Sequence, residues 1–429
     1  MARSRAERRR PESNSGMRIL FIHQNFPGQF KLLAAHLAQQ PGYEVVGLGD
    51  SANLDNKARN FNHPVLGYAA RPRKKPLGHH YLGSFEAAIR RGQDVLRACQ
   101  QIRAKGFVPD LIVGHPAWGE LLFIKDVFPD ARLIAYFEFL YRAVGADVGF
   151  DPEFPSSADG LHKLRIRNST QLHALAECDA GISPTLWQRS TYPAREHSRI
   201  RVIHEGIDLD TVRPDPGATF RLADGQTLSR ADRVVTFVSR QLEPYRGFHV
   251  FMRALPELQR RLPDTHFVIV GGDSVSYGAP PPKPHASFRE MLLAEVGSRL
   301  DTARTHFVGR LPYGDYLRLL QVSRLHIYLT YPFVLSWSML EAMACGLPVL
   351  GSATPPVQEV IRDGENGFLF DFFDREQLVE RTVEILGCED SRIAPELEAA
   401  RREIESRFSF TRHSLPAYQK LIAEVTGRV

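Results

Sequence analysis

Three charged residues in the second half of the chain are of the types that bind anions and accept hydrogen bonds from hydroxyl groups. Arg240 and Arg246 lie six positions apart in a loop that follows an apolar stretch, residues 233–239. Glu341 lies in a strongly helical segment that follows a second apolar stretch, residues 325–329. Guanidinium groups and the free amides of a helix start stabilise a diphosphate, and a carboxylate accepts hydrogen bonds from ribose or sugar hydroxyls. These residues therefore predict a site for a diphosphate-bearing substrate.

The elements that must position these residues alternate between short apolar strands and helices along the chain. Such alternation is typical of parallel sheets, which bind ligands at the carboxyl ends of their strands. In the second half, further candidates lie at strand ends and at the strand-to-helix junction before Glu341. They are Gly271, Gly309, Arg310, Leu311, Ser336, Trp337 and Ser338.

The first half carries two candidates of the same kind. Gly28 lies in the turn after the first strand, residues 17–23. A glycine there either lets the backbone approach a phosphate or simply permits a tight turn, and both interpretations remain open. His115 directly follows a buried strand, residues 110–114, where it is either a ligand-site residue or a structural one.

We predict an α/β fold with two domains in tandem and a cleft between them. At 429 residues the chain is long enough for two hydrophobic cores. The strand–helix alternation breaks at residues 213–230, which we predict to be irregular because they are polar and rich in Pro, Gly and Asp, the composition of a linker. The predicted division is a disordered basic tail at 1–16, a first domain at 17–208, a linker at 209–232, a second domain at 233–407 and a C-terminal helix at 408–429.

Composition and charge disfavour several classes of protein. No apolar run approaches the ~20 residues that a membrane span needs. The formal net charge is +5, and residues 1–16 supply +3 of it through five arginines and two acids, so we expect no nucleic-acid partner. The four cysteines are far apart and match no metal-binding spacing, which indicates reduced thiols and a cytoplasmic protein.

Two basic segments are candidates for contact with an anionic surface. The tail at 1–16 either contacts a membrane peripherally or remains solvated, and Met17 is an alternative start of the protein. The loop at 70–80 includes Arg71, Arg73, Lys74 and Lys75. This loop is either a solvated face or a rim for a lipid phosphate or an acidic acceptor.

Several catalytic motifs are absent from the sequence. It contains no G-x-x-x-x-G-K-[ST] loop, no G-x-G-x-x-G after the first strand, no G-x-S-x-G and no His pair at metal-binding spacing. Phosphoryl transfer by a P-loop and nicotinamide chemistry are therefore disfavoured.

The second half resembles the donor site of retaining glycosyltransferases of family 4, whose two Rossmann-like domains face each other across a cleft (the GT-B architecture). The resemblance rests on Leu-Glu-Ala-Met-Ala-Cys-Gly-Leu-Pro-Val at 340–349 and Asp-Gly-Glu-Asn-Gly-Phe-Leu at 363–369. Shorter matches lie at 239–240, 246–247, 270–272, 308–312 and, in the turn between the domains, 204–208. In the first half the resemblance is looser and involves residues 25–29 and His115.

The resemblance implies a role for each candidate in the second domain. Arg240 and Arg246 would bind the donor diphosphate, and Glu341 would hold the ribose hydroxyls. Arg246 stands where the family usually has Lys, which keeps the charge but changes the hydrogen-bond geometry. The implied nucleotide-sugar site also includes Gly271. The backbone around Arg310 and Leu311 would contact the base, and the amides of Ser336, Trp337 and Ser338 would contact the phosphates and sugar.

In the first domain the resemblance places Gly28 near the diphosphate and His115 on the sugar and acceptor side. It also implies that the C-terminal helix crosses back to this domain. The co-substrate would be a UDP-, GDP- or dTDP-linked sugar, and the acceptor a glycan or a lipid-linked molecule. No metal or other cofactor is expected, and the place of action would be the cytoplasm, including the inner face of the cell membrane.

One position departs from the family pattern, which has two glutamates eight positions apart. Counting back from Glu341 gives Phe333, which cannot accept a hydrogen bond from the transferred sugar. Ser336 and Trp337 also replace the usual Gly-aliphatic pair. An alternative interpretation of Glu341 is a capping box with Ser338 at the start of its helix.

We therefore predict a metal-independent retaining glycosyltransferase that acts on a nucleoside-diphosphate sugar. Two alternatives remain open: a nucleotide-sugar epimerase of similar fold, and a non-catalytic partner of an active transferase. The second alternative is motivated by Phe333.

Overall fold

The computed structural model describes residues 16–54, 61–69 and 78–428. Most of the predicted basic tail at 1–16 and most of the basic loop at 70–80 lie outside the described residues. Two parallel β-sheets, one in each half of the chain, dominate the fold.

The first sheet has seven strands, and every neighbouring pair is parallel. In chain order they are β1 (Met17–Ile22), β2 (Tyr43–Asp50), β3 (Val65–Tyr68), β4 (Leu111–Gly114), β5 (Arg132–Tyr136), β6 (Ala180–Ser183) and β7 (Ile200–Val202). Their order in space is β3-β2-β1-β4-β5-β6-β7. The helices of this half are α1 (Lys31–Gln39), α2 (Gly83–Ala104), α3 (Ile124–Val127), α4 (Ala158–Arg167), α5 (Ser169–Glu177) and α6 (Leu186–Ser190).

The strands of this sheet are apolar throughout because helices cover both faces. Ile19 in β1 belongs to the same buried cluster as Leu33 of α1. The next residue, Leu20, points to the opposite face and shares a cluster with Val95 of α2. Alternate side chains of one strand therefore enter two separate cores, as expected for a buried parallel sheet.

Part of the predicted linker is a β-hairpin. Residues 213–230 were predicted to be irregular, but β8 (Thr219–Arg221) and β9 (Thr227–Ser229) pair antiparallel within them. The prediction of irregular structure was wrong here because Asp224-Gly225, a strong hairpin signal, lies between apolar residues that become buried. Phe220, Leu222 and Leu228 pack in one cluster with residues of the second half.

The second sheet has six strands in the order β12-β11-β10-β13-β14-β15, again with parallel pairs throughout. The strands are β10 (Arg233–Gln241), β11 (Thr265–Gly272), β12 (Thr305–Gly309), β13 (Leu325–Tyr328), β14 (Val349–Ser352) and β15 (Phe368–Phe370). The helices are α7 (Phe248–Arg261), α8 (Phe288–Val296), α9 (Tyr313–Val322), α10 (Trp337–Ala344), α11 (Pro355–Gln358), α12 (Arg375–Gly387) and α13 (Asp390–Arg407). Two doubly wound sheets confirm the predicted fold class.

The chain ends by returning to the first sheet. After α13, a short π-helical turn (Phe410–Ser414) leads into α14 (Leu415–Thr426). Tyr418, Leu421 and Ile422 of α14 are buried in the cluster that contains Ile19 of β1. The predicted crossing of the C-terminal helix is therefore confirmed.

None of the helices in the described ranges combines the length and hydrophobicity that crossing a membrane requires.

Candidate functional site

Each sheet reverses its strand order at its first strand, which creates a crevice where the strands end. β1 lies between β2 and β4, and β10 lies between β11 and β13. Connections leave such neighbouring strands in opposite directions, and open α/β sheets bind ligands in the crevice between them. The predicted site residues follow these strands: Gly28 comes after β1, His115 after β4, Arg246 after β10 and Ser336 after β13.

The two crevices open into a common cleft. The Lys31 ammonium, at the start of α1, lies 4.7 Å from the centre of the Tyr313 ring at the start of α9. The rings of Phe139 and Phe333, one from each half of the chain, have centroids 4.8 Å apart. Both pairs join segments that follow the carboxyl ends of strands, so these two edges face each other.

Arg246 is a buried arginine whose hydrogen-bond partners are all uncharged. The residue is 8% exposed, and its Nη1 donates to Thr330 Oγ1 and to the Val334 carbonyl oxygen, both at 2.8 Å. It also donates to the Tyr328 hydroxyl at 3.3 Å. In the part of the chain that the structure describes, no carboxylate lies within 4.0 Å of this guanidinium. A buried cation without an ionic partner is costly, and a bound anion would compensate its charge.

Arg240, Arg310 and Leu311 line one cavity of about 290 Å³ near the ends of β10, β11 and β12. The Arg240 side chain is exposed and forms no hydrogen bond or ion pair with any other described residue. Gly271, at the end of β11, packs tightly, since a Cβ there would lie 2.7 Å from Leu242 Cδ2. The cavity therefore brings together three predicted residues, whereas the glycine at 271 is required by packing.

The Glu341 carboxylate is buried and is held by two tyrosines of α9. Oε1 accepts from the Tyr313 hydroxyl at 2.8 Å, and Oε2 accepts from the Tyr316 hydroxyl at 2.6 Å. Burial raises the pKa of Glu341 above its usual value, although both hydrogen bonds oppose that shift. A carboxylate has about four acceptor positions, so the tyrosines leave capacity for hydroxyls of a ligand.

The side chain of Glu341 does not contribute to the N-cap of α10. Ser336 is the cap residue, and its Oγ accepts from the Ser338 amide at 3.4 Å. The alternative capping box between Ser338 and Glu341 is not formed, because the carboxylate accepts from the two tyrosines instead. Trp337 is 40% exposed, and its indole donates to Glu205 Oε2 at 3.4 Å.

Gly28 is confined by the ring of His23. Its φ is +48°, and a Cβ there would lie 2.6 Å from His23 Cε1, so a larger residue does not fit. Burial lowers the pKa of His23 well below its usual value, and the charges of His115 and Arg240 add to this effect. The loop after β1 therefore lies within the electrostatic reach of an arginine from the opposite half.

Glu138, which follows β5, was not among the predicted site residues. Its carboxylate accepts from Gln29 Nε2 at 2.7 Å and lies 3.4 Å from Nε2 of His115, whose ring stacks on Trp118 at 4.3 Å. Burial raises the pKa of Glu138, but the contacts with His115 and Gln29 and the charge of Arg246 outweigh it and lower the pKa. The cleft thus contains an ionised carboxylate from the first half. The only sequence signal was its place at the exit of a strand.

Phe333 lies in an aromatic cluster that joins the two halves. Its ring centroid is 4.8 Å from that of Phe139 and 6.3 Å from that of Tyr141, both in the first half. From the second half, Tyr277 and Tyr245 approach it at 4.8 and 5.3 Å. The residue is 2% exposed, so position 333 serves packing between the halves.

A bridging segment, residues 145–157, also connects the first half to the second. It follows the aromatic residues after β5 and ends at the N-cap of α4. Three of its acids bond to the second half: Asp147 accepts from the Tyr245 hydroxyl (2.9 Å), Asp151 from the Tyr331 hydroxyl (2.7 Å), and Glu153 from Arg253 (2.6 and 2.7 Å).

The bridging segment contributes to a group of possible metal ligands. Ligand atoms of Asp151, Glu153 and His249 lie within 4.8 Å of one another. However, Arg253 binds both oxygens of Glu153, and Asp151 Oδ2 is shared between the Tyr331 hydroxyl and His249 Nε2 (2.9 Å). Both carboxylates are therefore already occupied by polar contacts with residues of the second half.

Two family models match the chain and together cover both halves. The model described as glycosyl transferase family 4 group matches residues 42–212. The model described as glycosyl transferases group 1 matches residues 221–402, the part that contains Arg240, Arg246 and Glu341.

Individual relatives match over part of their length. A D-inositol 3-phosphate glycosyltransferase of Mycobacterium sp. (strain KMS) is 32% identical over 177 residues, 41% of this chain and 37% of that protein. A GDP-mannose-dependent alpha-(1-6)-phosphatidylinositol monomannoside mannosyltransferase of Mycolicibacterium smegmatis is 29% identical over 185 residues, 42% of this chain and 45% of the relative. The chain thus spans less than half the length of either relative.

Among solved structures, HepE of Anabaena in complex with UDP and glucose is similar over almost the whole chain. The TM-score is 0.67 at 18% identity, covering 95% of this chain and 100% of HepE. Sucrose-phosphate synthase of Thermosynechococcus elongatus also gives a TM-score of 0.67, at 16% identity, covering 95% of this chain and 100% of that one. At these identities the similarity establishes the fold: two Rossmann-like domains in the GT-B arrangement.

Proposed function

Since this chain belongs to the family 4 group of glycosyltransferases, we propose that it moves a sugar from a nucleoside-diphosphate donor to an acceptor hydroxyl. The observation that carries the proposal is Arg246. A guanidinium that is 8% exposed and lacks an ionic partner among the described residues is a preformed site for an anion.

The donor diphosphate would lie between Arg246, Arg240 and the start of α10. Arg240 extends the positive charge towards the cleft, where no described carboxylate neutralises it by an ion pair. As the bond from the sugar to the diphosphate breaks, negative charge grows on the leaving group. The Ser336 and Ser338 amides already donate to the Tyr328 hydroxyl and to Ser336 Oγ. The two arginines and the Trp337 amide at the start of α10 would stabilise that charge, which is the main contribution of the protein to the rate.

The nucleoside would occupy the cavity of about 290 Å³ beside Arg240. Glu341 would accept the ribose hydroxyls, because the tyrosines fix its orientation without filling its acceptor positions. Backbone at Arg310 and Leu311 would contact the base, and Gly271 would keep the end of β11 close to the loop after β10.

Glu138 would take over the sugar contact that position 333 cannot make. It is ionised, lies beside His115, and is within reach of the charge of Arg246. Its neighbour Phe139 packs on Phe333, and this contact between the two segments supports the assignment. His115 would then line the acceptor side, and Gly28 would approach the diphosphate from the first domain.

The proposed reaction retains the configuration of the transferred sugar and uses no metal. The sugar departs and the acceptor hydroxyl attacks on the same face, so the acceptor and the leaving group must be held together in a closed cleft. The two arginines would supply the positive charge. Activity unchanged by EDTA would support metal independence.

The experiment that tests the proposal is calorimetric titration with UDP, GDP and dTDP, followed by transfer assays with the matching sugar donors. Arg240→Ala and Glu341→Ala should each reduce turnover at least ~100-fold, by analogy with the loss of one preorganised contact to the transition state. Arg260→Ala removes an exposed arginine paired with Glu257 and should leave turnover unchanged.

Turnover unchanged in both cleft variants would overturn the mechanism. Formation of an isomeric nucleotide sugar from the donor alone, seen by NMR spectroscopy, would identify an epimerase instead. Failure to bind any nucleoside diphosphate would identify a non-catalytic partner.

A further inference from the structure

A lysine of the first half lies beside the Glu341 site of the second half. Lys31 is the first residue of α1, and its side chain is exposed. Its ammonium lies 4.7 Å from the centre of the Tyr313 ring, and the hydroxyl of that tyrosine donates to Glu341 Oε1 at 2.8 Å. Tyr313 is 37% exposed, so a ligand in the cleft can reach this place. Lys31 was not among the predicted site residues.

The position of Lys31 brings no evident benefit to its own helix. A single 3-10 turn, Gly28–Phe30, precedes α1, so Lys31 lies near the amino end of a continuous helical segment. The helix dipole disfavours a cation at this end, and the first turn of α1 contains no acidic residue that would compensate the charge. A residue that breaks a local rule without a local gain indicates a functional contact.

The charge of Lys31 has no ionic partner within 4.0 Å among the described residues, but it acts on Glu341. Burial raises the pKa of Glu341, whereas the hydrogen bonds from Tyr316 and Tyr313 and the positive charge of Lys31 oppose that shift. The ammonium and the carboxylate are therefore close enough to influence each other without forming an ion pair.

A hydroxyl group is the ligand chemistry that fits between these two groups. An ammonium only donates hydrogen bonds and an ionised carboxylate only accepts them, whereas a hydroxyl does both. A hydroxyl bound here would donate to Glu341 and accept from Lys31. Hydrogen bonds to charged groups are stronger than those between neutral groups, so this double contact would contribute to affinity.

We propose that Lys31 is a donor-binding residue supplied by the first half, and that its ammonium donates to the ribose hydroxyl that Glu341 accepts. The inference rests on the proposed function, which makes the ligand of Glu341 the nucleoside of the donor. It makes the ribose a feature that determines specificity, because a nucleotide without this hydroxyl leaves both charged groups without their shared partner. The nucleoside then contacts both halves of the chain.

Calorimetric titration with UDP, 2′-deoxy-UDP and 3′-deoxy-UDP tests this contact, since each analogue lacks one oxygen atom. The guanosine series replaces these ligands where GDP binds more tightly than UDP. We expect one deoxy analogue to bind the wild type at least about tenfold more weakly than UDP. Lys31→Met should weaken UDP binding by a similar factor but leave the affinity for that analogue unchanged, because its contact with Lys31 is already lost.

Lys420→Met is the matched control. It removes an exposed lysine of α14, on the C-terminal helix, and should bind all three ligands like the wild type. A selective effect with the 2′-deoxy analogue would assign the contact to the 2′-hydroxyl and disfavour dTDP-linked donors. A selective effect with the 3′-deoxy analogue would assign it to the 3′-hydroxyl.

An effect of Lys31→Met that is equal for all three ligands would overturn the inference, because the lysine would then act through the diphosphate or through the contact between the halves. Unchanged affinities in Lys31→Met would overturn it as well, while leaving the proposed donor site intact. Failure of every nucleoside diphosphate to bind the wild type would instead overturn the proposed function, and this inference with it.

Discussion

The ring of Phe333 meets the ring of Phe139 in a T-shaped contact, with centroids 4.8 Å apart and planes at 67°. The two residues come from opposite halves of the chain, so position 333 joins the domains through an aromatic contact. In the proposed mechanism the sugar contact expected at this position would come from Glu138, the residue before Phe139.

Replacing Phe333 by Ala should destabilise the protein by about 3–5 kcal/mol, because a buried ring is lost and its four aromatic neighbours cannot fill the space. Chemical denaturation would measure the change in the free energy of unfolding. Phe373→Ala is a matched control. Because Phe373 is 47% exposed, its replacement should lower the free energy of unfolding clearly less. An equal decrease in the free energy of unfolding in both variants would show that the aromatic cluster does not join the two halves.

Glu138→Gln should reduce turnover on the order of 100-fold while nucleoside-diphosphate affinity stays the same, because the carboxylate would contact the sugar and not the nucleotide. Gln preserves the size of the side chain but removes the charge beside His115 and Arg246. Calorimetry with the nucleotide and steady-state kinetics with the donor would separate the two effects. A loss of nucleotide affinity equal to the loss of turnover would contradict the assignment.

Arg246→Lys should bind nucleoside diphosphate more tightly than Arg246→Met but about tenfold more weakly than the wild type. Lysine keeps the positive charge, but it lacks the planar group that contacts Thr330, Val334 and Tyr328. Titration of the three proteins with the same nucleotide would measure the order of their affinities. Equal affinity of the Lys and Met variants would show that the charge at 246 does not bind the diphosphate.

The alternation of strands and helices could be predicted because it depends on local patterns. Runs such as β1 and β13 are apolar since both faces of a parallel sheet are buried, and this property is visible residue by residue. The edge at which Arg240 and His115 lie follows from the same pattern, because parallel strands end on one side. Their chemical roles stay predictions until the variants are measured.

The features that could not be predicted depend on contacts between distant segments. Glu341 is oriented by Tyr313 and Tyr316, which are 28 and 25 positions away. Glu138 is held by Gln29, which is 109 positions away. No periodicity encodes such contacts, since they arise only when the sheets are assembled. The hairpin at Asp224-Gly225 is different, because its signal was local and was outweighed by the polar composition around it.

Asp147 should make the stability of the protein fall as the pH rises from about 4 to about 6. The residue is 1% exposed, and burial raises its pKa to about 6, although the hydrogen bond from Tyr245 opposes the shift. An Asp in the unfolded chain titrates near 3.9, so in this window the folded state retains a proton that the unfolded state has released. The free energy of unfolding therefore decreases with pH, by on the order of 3 kcal/mol. Asp147→Asn abolishes this titration, so its stability relative to the wild type should increase between pH 4 and pH 7 in urea denaturation. The exposed Asp130→Asn should show no such trend, and a pH-independent difference for Asp147→Asn would refute the prediction.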